Sequence, residues 1–157
     1  RIAHGFAVRV CQLSPKSRGT LKLRTTDPAD APAIDPRFLS EESDLDSLQN
    51  GVERMCEIVE QPSLKRHIKR KLDIEAFSGP TSLKKWIRER AETIYHPVGT
   101  CRMGEDAGAV VDSKLRVRGI DSLRVVDGSV MPTLISGNTN LPILAMAEKA
   151  AELISRG

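Results

Sequence analysis

The alternation of apolar and polar residues predicts two strands near the beginning of the chain. In residues 5–13, every second residue from Phe6 to Val10 is apolar, and Arg9 falls on the opposite face. This is the period of a half-buried strand. Residues 20–24 alternate again after a stretch rich in Pro, Ser and Gly. We therefore predict that the two segments pair as a hairpin.

Helical spacing begins after a proline-rich segment. Residues 25–38 contain three prolines and are predicted to form an irregular, extended loop. Beyond this loop, apolar residues recur every three or four positions. They predict an amphipathic helix that is capped by Ser43 or Asp44 and ends near Pro62.

The second half of the chain mixes helical and extended patterns. A short charged helix is predicted over residues 83–91, with Trp86 and Ile87 directed inward. Two alternating segments, residues 114–118 and 123–127, predict further strands.

The last predicted helix, residues 141–154, is apolar on most of its sides. A helix with so wide an apolar surface requires burial on more than one face. We therefore expect a domain outside this chain to pack against it. The fold class predicted from all of these elements is α+β, an antiparallel sheet backed by helices.

Length and composition exclude several classes of protein. The chain has 157 residues, enough for one domain with a core and too few for two ordinary ones. Its 39% hydrophobic and 29% charged residues argue against disorder. A net charge of +3 and an aromatic content of 3% do not favour nucleic-acid binding. The sequence also lacks the 18-residue apolar run expected of a membrane span.

The three cysteines are widely spaced and form no CxxC pair. This pattern predicts a reducing, cytoplasmic environment without a disulfide framework or a zinc site, and it leaves peripheral membrane association open. The chain begins at Arg1, next to a predicted strand. We therefore expect it to be a fragment of a longer protein.

A basic run, KRHIKRK, occupies residues 65–71. One interpretation is a surface that meets an anionic partner, and the other is an ordinary solvated face of a helix. The pattern alone leaves both open.

Candidate chemistry lies in residues 95–104, YHPVGTCRMG. Pro97 fixes its own φ and biases His96 towards an extended conformation. A stiff backbone suits a side chain that has to be aimed. Imidazole is also the side chain best suited to exchanging protons near neutral pH. His96 is therefore the best catalytic candidate among the three histidines.

A second stretch with candidate functional residues spans residues 123–140, LRVVDGSVMPTLISGNTN. Asn138 and Asn140 immediately precede the apolar helix, where Asn is a favourable N-cap and Pro142 fits the first turn. The N-terminus of a helix carries unpaired N–H groups and partial positive charge, so it favours an anion or an electron-rich carbonyl.

These two stretches, together with the terminal AMAEKAAELI, closely resemble the C-terminal signature of the glucose–methanol–choline (GMC) family of flavin-dependent oxidoreductases. Upstream, HGFAVRVCQLSPKSRGTLKL and DPADAPAIDPRFLS are also similar to that family, so the likeness covers nearly the whole chain. Among the branches of this family, the sequences of these stretches are most similar to those of the choline and alcohol dehydrogenases.

The resemblance implies an alcohol oxidoreductase in which His96 acts as the base while hydride passes to the flavin N5. Asn138 matches the family's second active-site position, where it would hydrogen-bond the substrate oxygen. An ordinary turn Asn or a helix cap is the alternative. The family's fold further implies a substrate domain over residues 1–109 and, over residues 110–157, a segment that returns to a Rossmann-like FAD domain.

FAD is the cofactor that the resemblance implies, and no metal is expected. The family binds FAD mainly through an N-terminal fingerprint that this chain lacks. Within the chain, Asp127 and Gly128 would approach the ribityl–pyrophosphate part, and Thr139 and Asn140 would face the pyrimidine end.

An alcohol is the expected substrate, with oxygen or a quinone-type carrier as electron acceptor. Two alternatives stay open. The first is a lyase on the same scaffold, in which FAD undergoes no net redox change. The second is a protein-binding module that uses the basic run and the apolar last helix.

Overall fold

A computed structural model describes residues 4–72 and 79–156. It confirms the α+β fold class, because helices accompany a two-stranded antiparallel sheet. In chain order, the elements are β1 (Thr20–Lys22), β2 (Ala33–Asp35), α1 (Glu42–Val59), α2 (Pro62–Lys65), α3 (Pro80–Arg90), a 3₁₀ helix (Gly128–Val130) and α4 (Asn140–Ser155).

The chain divides into two compact units, each built from separate stretches of sequence. The first unit comprises Arg1–Arg18 and Arg37–Glu92, and the second comprises Gly19–Pro36 and Thr93–Gly157. The elements of each unit are therefore not consecutive along the chain.

The core of the first unit lies between α1 and α3. Leu45 and Val52 of α1 meet Leu83 and Ile87 of α3, and all four are buried. Both helices confirm the periodicity of the sequence, with Ile87 buried and Trp86 half-buried as predicted. The apolar stripe on each helix is thus what joins them.

The predicted caps of α1 were wrong. The N-cap is Glu41, which makes no side-chain capping bond, and Ser43 and Asp44 lie inside the first turn. Asp44 is only 1% exposed, and its carboxylate binds residues outside the helix.

The carboxylate of Asp44 holds the loop that precedes β1. It accepts hydrogen bonds from the backbone N–H groups of Lys16 (2.8 Å) and Ser17 (2.7 Å), from the Ser17 hydroxyl (2.5 Å) and from the Gln12 amide (2.9 Å). Burial alone would raise the pKa of Asp44, but these donors outweigh it and lower the pKa to about 2. The ionised carboxylate is therefore part of the folded structure.

The predicted hairpin was also wrong in its pairing. β1 pairs with β2, with Leu21 opposite Ile34, so a strand lies within the segment predicted to be a loop. The prolines at positions 32 and 36 flank β2 and cannot donate to the ladder, so the paired strand is only three residues long. Residues 5–13 form no strand, because the apolar side chain of Val10 packs on α1 instead.

The second unit has its own core, formed by Val111, Leu115, Val130 and Ala150. Residues 114–118 and 123–127 were predicted to be strands, but they contribute isolated bridges, such as Arg116 with Arg124, rather than a ladder. Turn bonds from the N–H groups of residues 114 and 116 to the Asp112 carboxylate bend the chain and interrupt the pairing.

The last helix, α4, lies where the periodicity placed it. Among its residues only Ala150 is buried, whereas Leu141 is 75% and Leu144 53% exposed. The wide apolar surface expected from the sequence is therefore present, and packing against another domain stays a prediction. No helix within residues 4–72 and 79–156 is both long and apolar enough to cross a membrane.

We predict that Asp44→Asn destabilises the first unit by about 2 kcal/mol near neutral pH, the free energy that corresponds to its pKa shift. Because the pKa is lower in the folded state, the carboxylate stabilises fully above about pH 4. That stabilisation is lost as the pH falls through about 2. Urea unfolding followed by the fluorescence of Trp86, the single tryptophan, measures both effects.

Asp121→Asn is the matched control, since Asp121 is exposed and the same substitution there should change stability by less than about 0.5 kcal/mol. Equal stability of the Asp44→Asn and Asp121→Asn variants at neutral pH would contradict the role assigned to Asp44.

Candidate active site

The two stretches that carry the candidate chemistry lie side by side. The backbone N–H of Cys101 donates to the carbonyl of Ser129 at 3.0 Å, and the N–H of Met103 donates to that of Val130 at 2.8 Å. Residues about 30 positions apart are thus brought together by main-chain bonds, which do not depend on side-chain identity.

Gly128 is a point where the histidine stretch and α4 both approach closely. It is buried, and a Cβ atom there would lie 3.0 Å from Cδ1 of Ile143 and 3.7 Å from the carbonyl oxygen of Pro97. Pro97 directly follows His96, and Ile143 lies one turn into α4, its N–H bonded to the carbonyl of Thr139 at 3.0 Å. The turn at Gly128 therefore connects the histidine stretch with the start of α4.

His96 is half-buried, and its side chain makes no hydrogen bond or ion pair with the described residues. The residue before it, Tyr95, has φ 64°, which is uncommon for a residue with a side chain. The hydroxyl of Thr93 accepts the Tyr95 N–H at 2.9 Å and helps to hold this conformation. A strained residue on one side and Pro97 on the other leave His96 on a fixed backbone with its imidazole available.

The structure corrects the predicted capping of α4. Its N-cap is Thr139, which makes no side-chain capping bond, and Asn140 is the first helical residue. Asn138 is exposed, and its side chain makes no hydrogen bond with the described residues. Since Thr139 already has helical torsions of φ −78° and ψ −18°, it does not adopt the extended conformation that side-chain capping requires.

The start of α4 is electropositive. Its first turn contains no acidic residue, and N–H groups in the first turn of any helix lack intrahelical acceptors. Thr139 is buried to 6% exposure, whereas Asn140 is exposed. This donor set suits an electron-rich oxygen or nitrogen rather than a cation.

The carboxylate of Asp127 has an internal role. It accepts a hydrogen bond from the Ser129 N–H at 2.8 Å and another from the Ser129 hydroxyl, and so caps the 3₁₀ helix. Both bonds end on Oδ1 of Asp127, so this oxygen is engaged within the turn.

An ion pair beside the histidine stretch was missed in the sequence. Both guanidinium Nη atoms of Arg102 bind Asp106, at 2.8 and 2.5 Å, and close the loop after residue 103. The hydrogen bonds from Arg102 hold the pKa of Asp106 well below its usual range. The sequence feature that could have indicated this ion pair is the presence of opposite charges at Arg102 and Asp106, four residues apart with Gly104 between them.

Comparison with known proteins gives a consistent result. A family model described as GMC oxidoreductase matches residues 15–147. The chain is 46% identical over 156 residues to an alcohol dehydrogenase [acceptor] from Pseudomonas putida, covering 99% of this chain and 28% of that protein. It is 39% identical over 155 residues to an oxygen-dependent choline dehydrogenase from Pseudomonas savastanoi pv. phaseolicola, covering 96% and 27%.

Among solved structures, pyridoxine 4-oxidase from Mesorbium loti superposes with a TM-score of 0.86 and 32% identity, covering 92% of this chain and 28% of that one. The chain thus spans little more than a quarter of the length of the proteins that it matches.

We predict that Gly128→Ala lowers the free energy of unfolding by about 1 kcal/mol, because the added methyl group overpacks the contact with Ile143. Adding Ile143→Val should restore part of the loss by shortening the side chain that clashes. Thermal unfolding of the single and double variants measures the coupling.

Gly137→Ala provides the control, since a Cβ at position 137 would have no atom within 4 Å. If Gly128→Ala were no more destabilising than Gly137→Ala, the close packing described for Gly128 would be wrong.

Proposed function

The chain belongs to the GMC oxidoreductase family, and from this we propose that it is the C-terminal part of an FAD-dependent oxidoreductase acting on an alcohol. One observation carries the proposal most directly. The turn at Gly128 joins the backbone next to His96 to the start of α4, so a base and a set of N–H donors belong to one compact unit.

His96 is the proposed base. One nitrogen of its imidazole accepts the hydroxyl proton of the alcohol, which leaves more electron density on the oxygen and makes the neighbouring carbon a better hydride donor. FAD, when bound, supplies the acceptor at N5 for that hydride. The absence of any described hydrogen bond to the imidazole supports this role, because no internal partner has to be displaced.

Asn138 is proposed to position the substrate oxygen. An amide cannot act as a base near neutral pH, but its NH₂ group can donate a hydrogen bond to an oxygen on which charge accumulates. The exposure of Asn138 and the lack of a described partner are compatible with this role. His96 is then left as the base of the pair.

The residues proposed to contact FAD fit an electron-rich group. Thr139 and Asn140 lie at the electropositive start of α4, which would stabilise negative charge on the reduced ring. Asp127 and Gly128 would contribute main-chain N–H groups, as the family resemblance implies, and Gly128 permits a close approach because it lacks a Cβ atom. Most of the FAD site is proposed to lie in a Rossmann-like domain outside this chain.

The same proposal divides the chain by function. Residues 1–109 would form the part of the substrate domain that carries His96, and residues 110–157 the segment that returns to the FAD domain. The electron acceptor is proposed to be oxygen or a quinone-type carrier.

We predict that His96→Ala in the full-length protein slows anaerobic flavin reduction by an alcohol substrate by about 10² to 10⁴-fold, because proton transfer loses its base. Asn138→Ala should slow it by about 10² to 10³-fold through loss of a hydrogen bond to the developing charge. Stopped-flow absorbance of the flavin band measures both rates.

His67→Ala is the control, since His67 is an exposed histidine in the first unit and its removal should leave the rate unchanged. A His96→Ala protein that is reduced as fast as the parent would refute the assignment of the base. A flavin that no alcohol in a broad panel reduces would favour the lyase alternative.

We further predict that the 157-residue chain alone binds FAD weakly or not at all, since most contacts to the cofactor are proposed to lie elsewhere. Titration of FAD fluorescence against the chain, with the full-length protein in parallel, tests this. Tight binding by the chain alone would overturn the proposed division.

A further inference from the structure

A basic loop follows α2, and it is not the face of a helix. We define the basic loop as residues 65–72, KRHIKRKL. Only Lys65 belongs to α2, so a solvated helical face, one of the two interpretations from the sequence, is wrong for the rest of the run. The N–H groups of His67 and Ile68 form turn bonds to the carbonyls of Leu64 and Lys65, at 2.9 and 3.0 Å.

The two ends of the basic loop are held by one carboxylate. Nζ of Lys65 lies 2.9 Å from Glu60, and the ammonium group of Lys71 binds the other oxygen of Glu60. Ile68, in the middle, is half-buried. These contacts close the loop and leave its remaining cations on the outside.

Three of these cations have no acidic partner within the part of the chain that the structure describes. Arg66, Lys69 and Arg70 are exposed, and none forms an ion pair with a carboxylate in residues 4–72 or 79–156. The guanidinium group of Arg66 donates to Nε2 of its neighbour His67, at 3.1 Å. Among the residues that the structure describes, the outer side of the basic loop therefore carries three cations without a carboxylate partner, a local concentration of positive charge.

Leucines lie on both sides of this charge. Leu72 is 79% exposed and Leu64 37% exposed, so solvent-accessible leucines flank the cations in the sequence. Residues 60–72 contain no Trp, Tyr or Phe, although aromatic anchors are typical of protein-binding hot spots. A cluster of Lys and Arg with neighbouring leucines is instead suited to phosphate headgroups above an apolar interior.

We propose that the basic loop is a docking site for the anionic headgroups of a lipid bilayer, with Leu72 inserted at the boundary of the acyl chains. The attraction is electrostatic and acts within about 10 Å at 0.1 M salt, so binding is reversible and weakens as salt increases. This inference is independent of the alcohol-oxidising activity proposed above.

The test is sedimentation of the full-length flavoprotein with phosphatidylcholine vesicles that contain about one third phosphatidylglycerol, or none. The parent protein should bind only the anionic vesicles, at low salt. Changing Arg66, Lys69 and Arg70 together to Gln should lower the partition coefficient roughly 100-fold, since each cation near an anionic surface contributes about fivefold.

A control triple variant changes Lys22, Arg24 and Arg156 to Gln. It removes the same charge from exposed positions elsewhere and should retain most of the binding. Leu72→Ser should weaken binding by up to about tenfold through loss of apolar burial. Leu23→Ser should not, although Leu23 is 85% exposed. An unchanged flavin spectrum in each variant verifies folding.

Equal losses in the two triple variants would overturn the proposal, because net charge rather than the basic loop would then govern binding. Retention of the protein on a polyglutamate resin without binding to anionic vesicles would also overturn it, in favour of an acidic protein partner.

Discussion

The main-chain pairing between residues 101–103 and 129–130 is the constraint on which the candidate site depends. Because N–H and carbonyl groups are present at almost every residue, this pairing sets the register but requires few particular side chains. Particular residue types are required at only a few positions of this pairing. At Gly128 a side chain would meet Ile143 and Pro97, and Val130 is 0% exposed. The placement of the backbone next to His96 therefore depends on packing at Gly128 and Val130, neither of which is proposed to transfer a proton.

The parts of the fold that could be predicted are those determined by local periodicity. α4 was placed to within one residue at each end and α1 to within about three, because each carries its apolar pattern over several turns. The strand pairing was predicted wrongly, because an alternating apolar pattern does not show what the segment contacts. Val10 belongs to such a pattern, and it packs against a helix rather than within a pair of strands. Asp44 illustrates the same limit, since a short acidic residue near a helix start can cap it or bind a distant loop.

The candidate site was found through resemblance, whereas its local geometry could not be read from the sequence. Nothing in the order of residues specifies that Tyr95 has a positive φ, because that conformation results from contacts made after folding. Asn138 and Asn140 are residue types favoured at caps, yet Thr139 is the N-cap. The bond from the Ser129 N–H to the Asp127 carboxylate could not be read from the sequence either, and a cofactor contact by the main chain of Asp127 stays a prediction.

The exposed apolar surface of α4 bears on which part of the protein would select the alcohol. One side of the helix packs within its unit through Met146 and Ala150, while Leu141 and Leu144 remain largely exposed. Burying such a side chain stabilises a protein by about 1.5–3 kcal/mol, so an exposed pair favours contact with a further domain. Under the proposed function, His96 and Asn138 would act on the hydroxyl group common to all alcohols. Side chains that distinguish one alcohol from another would then come largely from the part of the protein outside this chain.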